Sequence, residues 1–219
     1  MKLIVSNLKM FLNGYEIKNY LEKLKNYENK NIVICPSTIH IPYFLSYKFN
    51  VGIQNITYRS NLNQTGEVSA LQSKNLGVNY VIVGHHERRK MFNETNKEIN
   101  LKIKEAIKNN LKVILCVDNL DLKNELKECL KDINEDVIIA YEPLNIVGTN
   151  LIEEPKNIEN VINYIKSECP NVKVLYGGNI NSSNIENLNQ IPNIDGYLIG
   201  LSSSKIDEFI KIIKYVNNI

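Results

Sequence analysis

The feature that most constrains the fold of this chain is a regular alternation of short β-branched runs with longer segments of helical periodicity. The runs are apolar almost throughout, which is typical of parallel strands that are covered on both faces. Between them, apolar residues recur three or four positions apart, as Ile99, Ile103 and Ile107 do within residues 96–110, and this spacing indicates amphipathic helices. The eight predicted strands are residues 3–6, 32–35, 51–54, 80–84, 113–117, 137–141, 172–176 and 196–200.

Eight strand–helix units in 219 residues predict an α/β fold, a closed (β/α)8 barrel that forms a single domain over residues 1–219. A doubly wound open sheet is the structural alternative. That fold usually carries a glycine-rich turn after its first strand, whereas residues 6–9 read Ser-Asn-Leu-Lys. In a barrel of this type the active site lies at the carboxyl ends of the strands. The polar residues at those ends are therefore the functional candidates.

Several helix starts are predicted from capping boxes, in which a hydroxyl and a carboxylate or amide three residues later satisfy reciprocal backbone donors. Pro155 predicts a further helix start, since the first turn tolerates proline. The four boxes are Ser69 with Gln72, Thr95 with Glu98, Ser183 with Glu186, and Ser204 with Asp207.

Composition limits the class of protein. The formal net charge of +2 gives no reason to expect nucleic acid or a membrane surface as a partner. No apolar run approaches the roughly 18 residues that a membrane span needs, and residues 1–5 are expected to be a first strand rather than a secretory signal. The four cysteines lack both CxxC pairing and the histidine spacing of a zinc site. We therefore expect a reduced, cytoplasmic protein without a metal.

Two predicted strands end in candidate catalytic side chains. Asn7 and Lys9 point the same way after the first strand, and a lysine at a barrel mouth suggests an anionic substrate, although a solvated lysine is the alternative. His85 lies at the tip of the fourth strand, where it could act as a neutral hydrogen-bond donor or a general acid, the alternative being a solvated loop.

The sixth strand ends in a carboxylate. Glu142 closes an apolar run, so its side chain must be paired, solvated or catalytic, and a base shielded by apolar walls suits the removal of a carbon-bound proton. The loop 144–150 that follows is longer than a strand–helix turn needs and contains Gly148, which predicts a lid. Glycines at 177, 178 and 200 end the last two strands and predict a phosphate site.

These strand ends resemble one family, triosephosphate isomerase. Each motif alone is unremarkable, but together they run in order through the whole chain at suitable strand ends. The matches are Asn7-x-Lys9-Met10, Gln54-Asn55, Thr65-Gly66-Glu67, Gly84-His85-x-Glu87-Arg88-Arg89, Tyr141-Glu142-Pro143, Gly148-Thr149, Tyr176-Gly177-Gly178 and Asp195-Gly196.

The resemblance implies an isomerase that interconverts dihydroxyacetone phosphate and glyceraldehyde 3-phosphate without a cofactor or metal. That family is a standard example of acid–base tuning, so the roles below are the family's and are carried over by position. Glu142 would be the base, His85 the neutral group that polarises the carbonyl, and Lys9 the cation for the enediolate and phosphate. Further members would be Asn7 near the substrate oxygen, Glu87 in support of Lys9, backbone N–H groups around Gly148, Asn179, Gly200 and Leu201 on the phosphate, and Tyr176 against the closed lid.

The resemblance also implies a homodimer, in which the loop of Gln54, Thr65, Gly66 and Glu67 reaches the neighbouring subunit. Several positions depart from the family pattern. His86 stands where the family usually has serine, Asn179 replaces the serine after Tyr-Gly-Gly, and Leu201 replaces the second glycine of the last pair. Both lid ends differ, with Asn145 at the start and residues 151–153 (Leu-Ile-Glu) at the end.

Two alternative functions stay open. The altered lid would suit a catalytically weakened or inactive relative that binds a phosphorylated ligand or a protein partner. Retention of Asn7, Lys9, His85 and Glu142 together argues against it. A different phosphosugar enzyme on the same barrel is the other alternative, since a fold alone does not fix the chemistry.

Overall fold

A computed structural model describes residues 1–59, 61, 63–146, 149 and 151–218. Within these residues, eight parallel strands follow one another around a closed barrel in chain order, and the last pairs with the first. The predicted fold class is therefore confirmed. The strands are β1 (Leu3–Asn7), β2 (Ile32–Cys35), β3 (Asn50–Ile53), β4 (Tyr80–Val83), β5 (Lys112–Asp118), β6 (Ile138–Glu142), β7 (Val174–Tyr176) and β8 (Gly196–Ile199).

Helices surround the barrel and occupy the segments between the strands. Two short 3₁₀ turns, Lys25–Tyr27 and Thr38–His40, supplement them. No helix in the described part of the chain combines the length and apolar character that crossing a membrane requires. The helices are α1 (Gly14–Leu24), α2 (Ile41–Phe44), α3 (Ala70–Leu76), α4 (His86–Phe92), α5 (Asn96–Lys108), α6 (Leu122–Cys129), α7 (Pro155–Glu168), α8 (Ile185–Asn189), α9 (Leu201–Ser204) and α10 (Ile206–Asn217).

Each strand is buried on both faces because its side chains alternate between two cores. Leu3 and Val5 of β1 belong to the cluster that fills the barrel interior, while Ile4 between them belongs to the larger cluster beneath the helices. The same alternation places Ala140 of β6 and Leu198 of β8 inside the barrel. This explains why the strands read as nearly continuous apolar runs.

The inward rows determine which side chains reach the mouth of the barrel. In β1 the next inward-facing residue after Val5 is Asn7, and in β6 the next one after Ala140 is Glu142. Both side chains are buried. The fold therefore directs these polar groups into the mouth by register alone.

Two of the four predicted capping boxes are confirmed in position. Ser69 accepts a bond from the Gln72 backbone, and Thr95 forms a complete box with Glu98. The predictions of capping boxes at Ser183 and Ser204 are wrong. The Ser183 hydroxyl donates to the Asn181 side chain, and α8 begins at Ile185 after an Asn184 cap.

The Ser204 prediction fails because this residue ends one helix instead of starting the next. Its hydroxyl donates to the Leu201 carbonyl within α9, and Lys205 is the N-cap residue of α10, without a side-chain cap bond. A serine in a last helical turn has carbonyls within reach, and those compete with the capping role.

Closure of the barrel depends on Gly196, and we predict that Gly196→Ala destabilises the protein by about 3 kcal/mol or more. A Cβ atom there would lie 2.0 Å from the Leu3 carbonyl oxygen and 2.8 Å from the Leu3 nitrogen, both backbone atoms of the neighbouring strand. The strands would have to separate at the β1–β8 seam. Urea denaturation followed by circular dichroism measures the change in the free energy of unfolding.

Gly14→Ala is the matched control, since a Cβ atom at this position would meet no described atom within 4 Å beyond its own neighbours and helix backbone. That variant should be neutral or stabilised by up to about 1 kcal/mol, because alanine loses less conformational entropy in a helix. Equal effects at the two glycines would contradict the steric account of closure.

Candidate active site

The polar strand ends converge on a cavity of about 1050 Å³ at the carboxyl ends of the strands. Its lining includes Asn7, Lys9, His85, Glu142 and Gly200. These residues come from β1, from the β4–α4 turn, from β6 and from the end of β8, so they meet only in the folded barrel. The cavity lies where this fold places its active sites.

Lys9 adopts a left-handed backbone with φ of 44°, which is unfavourable for a residue with a Cβ atom. Neighbouring groups hold it there. The Asn7 side-chain oxygen accepts a bond from the Lys9 N–H at 3.2 Å, while the Ser37 hydroxyl and the Gln54 amide donate to the Lys9 carbonyl at 2.8 and 3.0 Å. Strain of this kind persists only where the surroundings over-determine it, and it is concentrated at functional sites.

The Lys9 ammonium is paired with Glu87 from the first turn of α4. Its Nζ atom lies 2.6 Å from Glu87 Oε1. Burial alone would raise the pKa of Glu87, but the ammonium and the nearby His85 and His86 outweigh burial and lower it. Glu87 is therefore a carboxylate near neutral pH and can fix the ammonium at the cavity wall.

His85 is held in one tautomer by the start of α4. As the N-cap residue, its Nδ1 atom accepts a hydrogen bond from the Glu87 backbone N–H at 3.3 Å. The acceptor nitrogen carries no proton, so in the neutral ring the proton is on Nε2. That nitrogen lies 3.1 Å from Glu142 Oε1. The arrangement presents the Nε2–H donor to the cavity.

Glu142 is buried, and two neighbouring histidines satisfy its carboxylate. Oε1 lies 3.1 Å from His85 Nε2 and 3.2 Å from His86 Nδ1, and Oε2 accepts the His86 backbone N–H at 3.3 Å. Burial would raise the pKa of this carboxyl group, but the interactions with His85 and His86 outweigh it and lower the pKa well below its usual range. Glu142 is therefore ionised and fully hydrogen-bonded in this resting arrangement.

His85, His86 and Glu142 together offer three ligand atoms within 4.8 Å of one another, a set that could in principle hold a metal ion. The tautomer of His85 opposes this. To bind a metal ion through Nε2, His85 would have to move its proton from Nε2 to Nδ1. There the proton would face the Glu87 N–H donor. The chemistry of the donors favours hydrogen bonding among the three groups over a shared cation.

Helix α4 is tied to the barrel by Arg89. Its Nε atom donates to the Gly84 carbonyl at 2.7 Å, and Nη1 lies 3.0 Å from Glu125 Oε1 on α6. Burial raises the pKa of Glu125 to about 7 despite the opposing effect of Arg89. These contacts fix the turn that carries His85 and His86.

Glycines after β7 and β8 shape the opposite wall of the cavity. A Cβ atom at Gly177 would lie 3.2 Å from the Glu142 Cγ atom, and one at Gly178 would collide with the Tyr176 ring. At Gly200 the nearest side-chain atom is the Lys9 Cε atom, at 3.7 Å from the position of a Cβ. The Lys9 side chain therefore extends toward the start of α9, where Leu201 is exposed.

The loop after β6 is attached to the β7 end through Asn179. The Asn179 Nδ2 atom, which carries two protons, lies within hydrogen-bond distance of the carbonyls of Ile146, Thr149 and Leu151, at 2.8, 2.7 and 2.9 Å. Asn119, directly after β5, accepts the Leu144 N–H at 3.1 Å. Gly148, a predicted phosphate ligand, lies outside the described residues.

At the far end of this loop, Glu153 is buried and its Oε1 accepts the Tyr141 hydroxyl at 3.0 Å. Burial raises the pKa of Glu153, and the bond to Tyr141 opposes the rise only in part. The Tyr176 hydroxyl is also buried and finds no hydrogen-bond partner among the described residues. The expected contact between Tyr176 and the lid therefore stays a prediction.

The predicted dimer loop is exposed on this chain. Thr65, Gly66 and Glu67 are open to solvent, and Gly66 has a φ of 86° that favours glycine. Gln54 instead turns inward to the Lys9 and Cys35 carbonyls. The contact across subunits stays a prediction.

Sequence reasoning missed Ser37 and Asn119 as supports of the site. Each is a polar residue one or two positions beyond the end of a strand, so the rule that identified Asn7 and Glu142 could have found them. The role of Asn179 as a loop attachment has no comparable signal, because it depends on carbonyls about 30 positions away in the chain.

Comparison with known proteins gives a consistent match. The family model described as triosephosphate isomerase matches residues 2–216. The triosephosphate isomerase of Wolbachia sp. subsp. Brugia malayi (strain TRS) is 37% identical over 98% of this chain and 97% of that protein. The protein of that name from Mesomycoplasma hyorhinis is 34% identical over 89% of this chain and 86% of its own length.

Asn179 generates a prediction about the loop. Asn179→Ala removes the amide group whose two protons are shared among three loop carbonyls, so hydrogen exchange at the Thr149 and Leu151 amides should become about tenfold faster, as expected for the loss of about 1.4 kcal/mol of local stability. Mass spectrometry or NMR of the exchange measures this.

Ser183→Ala is the control, because the hydroxyl of this exposed residue bonds only to Asn181 among the described residues. Exchange at the loop amides should not change in that variant. Unchanged protection in Asn179→Ala would mean that other contacts hold the loop.

Proposed function

Because the chain belongs to the triosephosphate isomerase family, we propose that it interconverts dihydroxyacetone phosphate and D-glyceraldehyde 3-phosphate by proton transfer through an enediolate. The observation that carries the proposal is the pairing of a buried carboxylate with an imidazole donor, Glu142 Oε1 and His85 Nε2 at 3.1 Å, in a cavity that also contains the Lys9 ammonium. The reaction needs one base, one donor to an oxygen and one cation for developing negative charge.

Glu142 is the proposed base. At rest its low pKa makes it a weak one, since the two histidines stabilise its anion. When a substrate carbonyl takes the His85 Nε2 proton as its hydrogen-bond partner, Glu142 loses that stabilisation while it remains buried. Its proton affinity then rises, because burial alone raises a carboxyl pKa. Substrate binding thereby activates the base that acts on it.

Lys9 and Asn7 are the proposed partners of the oxygen and phosphate charges. The Lys9 ammonium extends from the β1 end toward Gly200, so one cation can face both the enediolate and the phosphate group. Asn7 fixes the strained Lys9 backbone through its side-chain oxygen, and Glu87 holds the ammonium at 2.6 Å. We assign Glu87 to positioning of Lys9 and His85.

The proposed phosphate site combines backbone N–H groups near Gly200 and Leu201 with those near Asn179 and Gly148. Support comes from the two glycine-containing strand ends on one cavity wall, where the absence of Cβ atoms allows close approach. Tyr176 is proposed to contact the lid when it closes. This binding mode needs neither cofactor nor metal.

We also propose a homodimer. Large apolar side chains are exposed beside the site, with Met10 at 90% exposure directly after Lys9 and with Met91 and Phe92 at the end of α4. Large apolar side chains with this much exposure favour coverage by a partner. A second copy would cover them and would bring its Thr65 to the Asn7–Lys9 turn. The cytoplasmic location stays a prediction.

The central test is enzymatic. Purified protein should isomerise glyceraldehyde 3-phosphate in an assay coupled to reduction of dihydroxyacetone phosphate, and Glu142→Gln should lower kcat by about 10²–10⁴-fold or more, with KM little changed. Glutamine keeps the size of the side chain and cannot take the proton.

Glu168→Gln, an exposed carboxylate at the end of α7, is the control and should keep full kcat. A Glu142→Gln variant with more than about a tenth of wild-type kcat would exclude Glu142 as the base. An inactive wild-type protein would favour the binding-only alternative.

The dimer has its own test. Sedimentation velocity should give twice the 25.2 kDa chain mass, and Thr65→Arg should dissociate the dimer and lower kcat, because the bulky cation cannot fit beside Lys9 of the partner. Glu168→Arg, exposed on a distant helix, should leave the mass unchanged. A fully active monomer at micromolar concentration and below would contradict the proposal.

A further inference from the structure

His86 forms two hydrogen-bond contacts with Glu142, the proposed base, although the proposed reaction gives His86 no role. It is the first residue of α4, and both its backbone N–H and its Nδ1 atom lie within hydrogen-bond distance of Glu142, at 3.3 and 3.2 Å. The two bonds reach different oxygens of one carboxylate. The His86 side chain is only 15% exposed, so little water competes for them.

These contacts stabilise an arrangement in which the reaction does not proceed. Glu142 accepts bonds from His85 and His86, and the His85 donor is occupied by the same carboxylate. For proton abstraction, Glu142 must turn toward a substrate carbon and His85 must turn its proton toward a carbonyl. Every bond that His86 makes to Glu142 in the resting state therefore adds to the barrier for that reorientation.

The charge on His86 decides how strong this bond is. An imidazole changes charge between about pH 5 and 8, and the hydrogen bond from an imidazolium to a carboxylate is about twice as strong as that from a neutral ring. The carboxylates that face His86 are Glu142 on β6, which His86 contacts directly, and Glu87 on α4.

Other ionisable groups surround the His86 side chain. The His85 ring lies 4.3 Å away, centroid to centroid, and Lys90 lines the cavity one turn along α4. Lys9 is neutralised by Glu87, and Cys116 on β5 approaches Glu142 as a thiol whose pKa burial raises. Of these groups, Glu142 is the one that accepts hydrogen bonds from His86.

We propose that His86 is a positioning residue that holds Glu142 in its resting orientation, and holds it more firmly when its imidazole is protonated, so that the isomerase is slowed selectively in mild acid. The inference rests on the proposed function. It assigns to this chain a pH response that a serine at the same position could not provide, because a hydroxyl stays neutral throughout this range.

The test compares pH profiles of wild type, His86→Asn and His86→Ser from pH 5.5 to 8.5, for both kcat and kcat/KM. The asparagine amide places a permanently neutral N–H donor near the position of Nδ1. Each profile is normalised to its own value at pH 8.5, so a change in overall activity does not enter. The substrate phosphate titrates near pH 6 in every assay and cancels in the ratio of two variants.

We expect wild-type kcat/KM to fall about fivefold further than that of either variant between pH 8.5 and 5.5, in line with the extra strength of a charged hydrogen bond. Parallel profiles for all three proteins would overturn the inference while leaving the proposed function intact. Absence of activity in the wild type at every pH would instead remove the proposed function.

A second measurement needs no variant at this position. NMR of wild-type protein labelled in its three histidines follows the protonation of each ring. The His86 ring should gain its second proton between pH 8.5 and 5.5 over the same range in which activity falls. A His86 ring that remains neutral at pH 5.5 would overturn the inference even if both variants fail to fold.

Discussion

Closure of the sheet imposes one rule on every strand, namely that alternate side chains face the barrel interior and the remainder face the helices. Val5 and Ile4 are adjacent in the chain and belong to different cores for this reason. The rule continues past the last apolar residue, and there it delivers Asn7 and Glu142 to the mouth of the barrel. Both the stability of the fold and the position of the proposed base thus follow from one alternation of side chains along the strands.

The mouth of the barrel contains groups that would be unfavourable elsewhere. A buried carboxylate at Glu142 is tolerated because two histidines donate to it, and a left-handed backbone at Lys9 is tolerated because Ser37 and Gln54 donate to its carbonyl. Each compensation comes from a different strand end. The rigid barrel therefore supplies what a flexible loop could not, which is a set of partners held at fixed distances before any substrate arrives.

The strands and the inward residues could be predicted because they depend on local pattern, namely β-branched runs and a period of two. His85 and Glu142 could be named because each follows such a run directly, and Lys9 because it lies two positions beyond Asn7 at the end of the first run. The capping boxes at Ser183 and Ser204 failed because Asn181 and the Leu201 carbonyl compete for the same hydroxyls. Contacts between distant segments were beyond prediction in the same way. The sequence marks Glu153 as a departure from the family, but only the fold buries it beside Tyr141.

At position 9, the backbone conformation favours one residue type for stability, whereas the proposed activity needs another. A glycine there would adopt a φ of 44° without steric cost, so the barrel would gain stability by losing the cation at its mouth. No residue type combines a relaxed left-handed backbone with a long ammonium side chain. Mutational drift toward a more robust fold would therefore erode the proposed chemistry at this residue, and a library selected for thermal stability alone would enrich glycine at position 9.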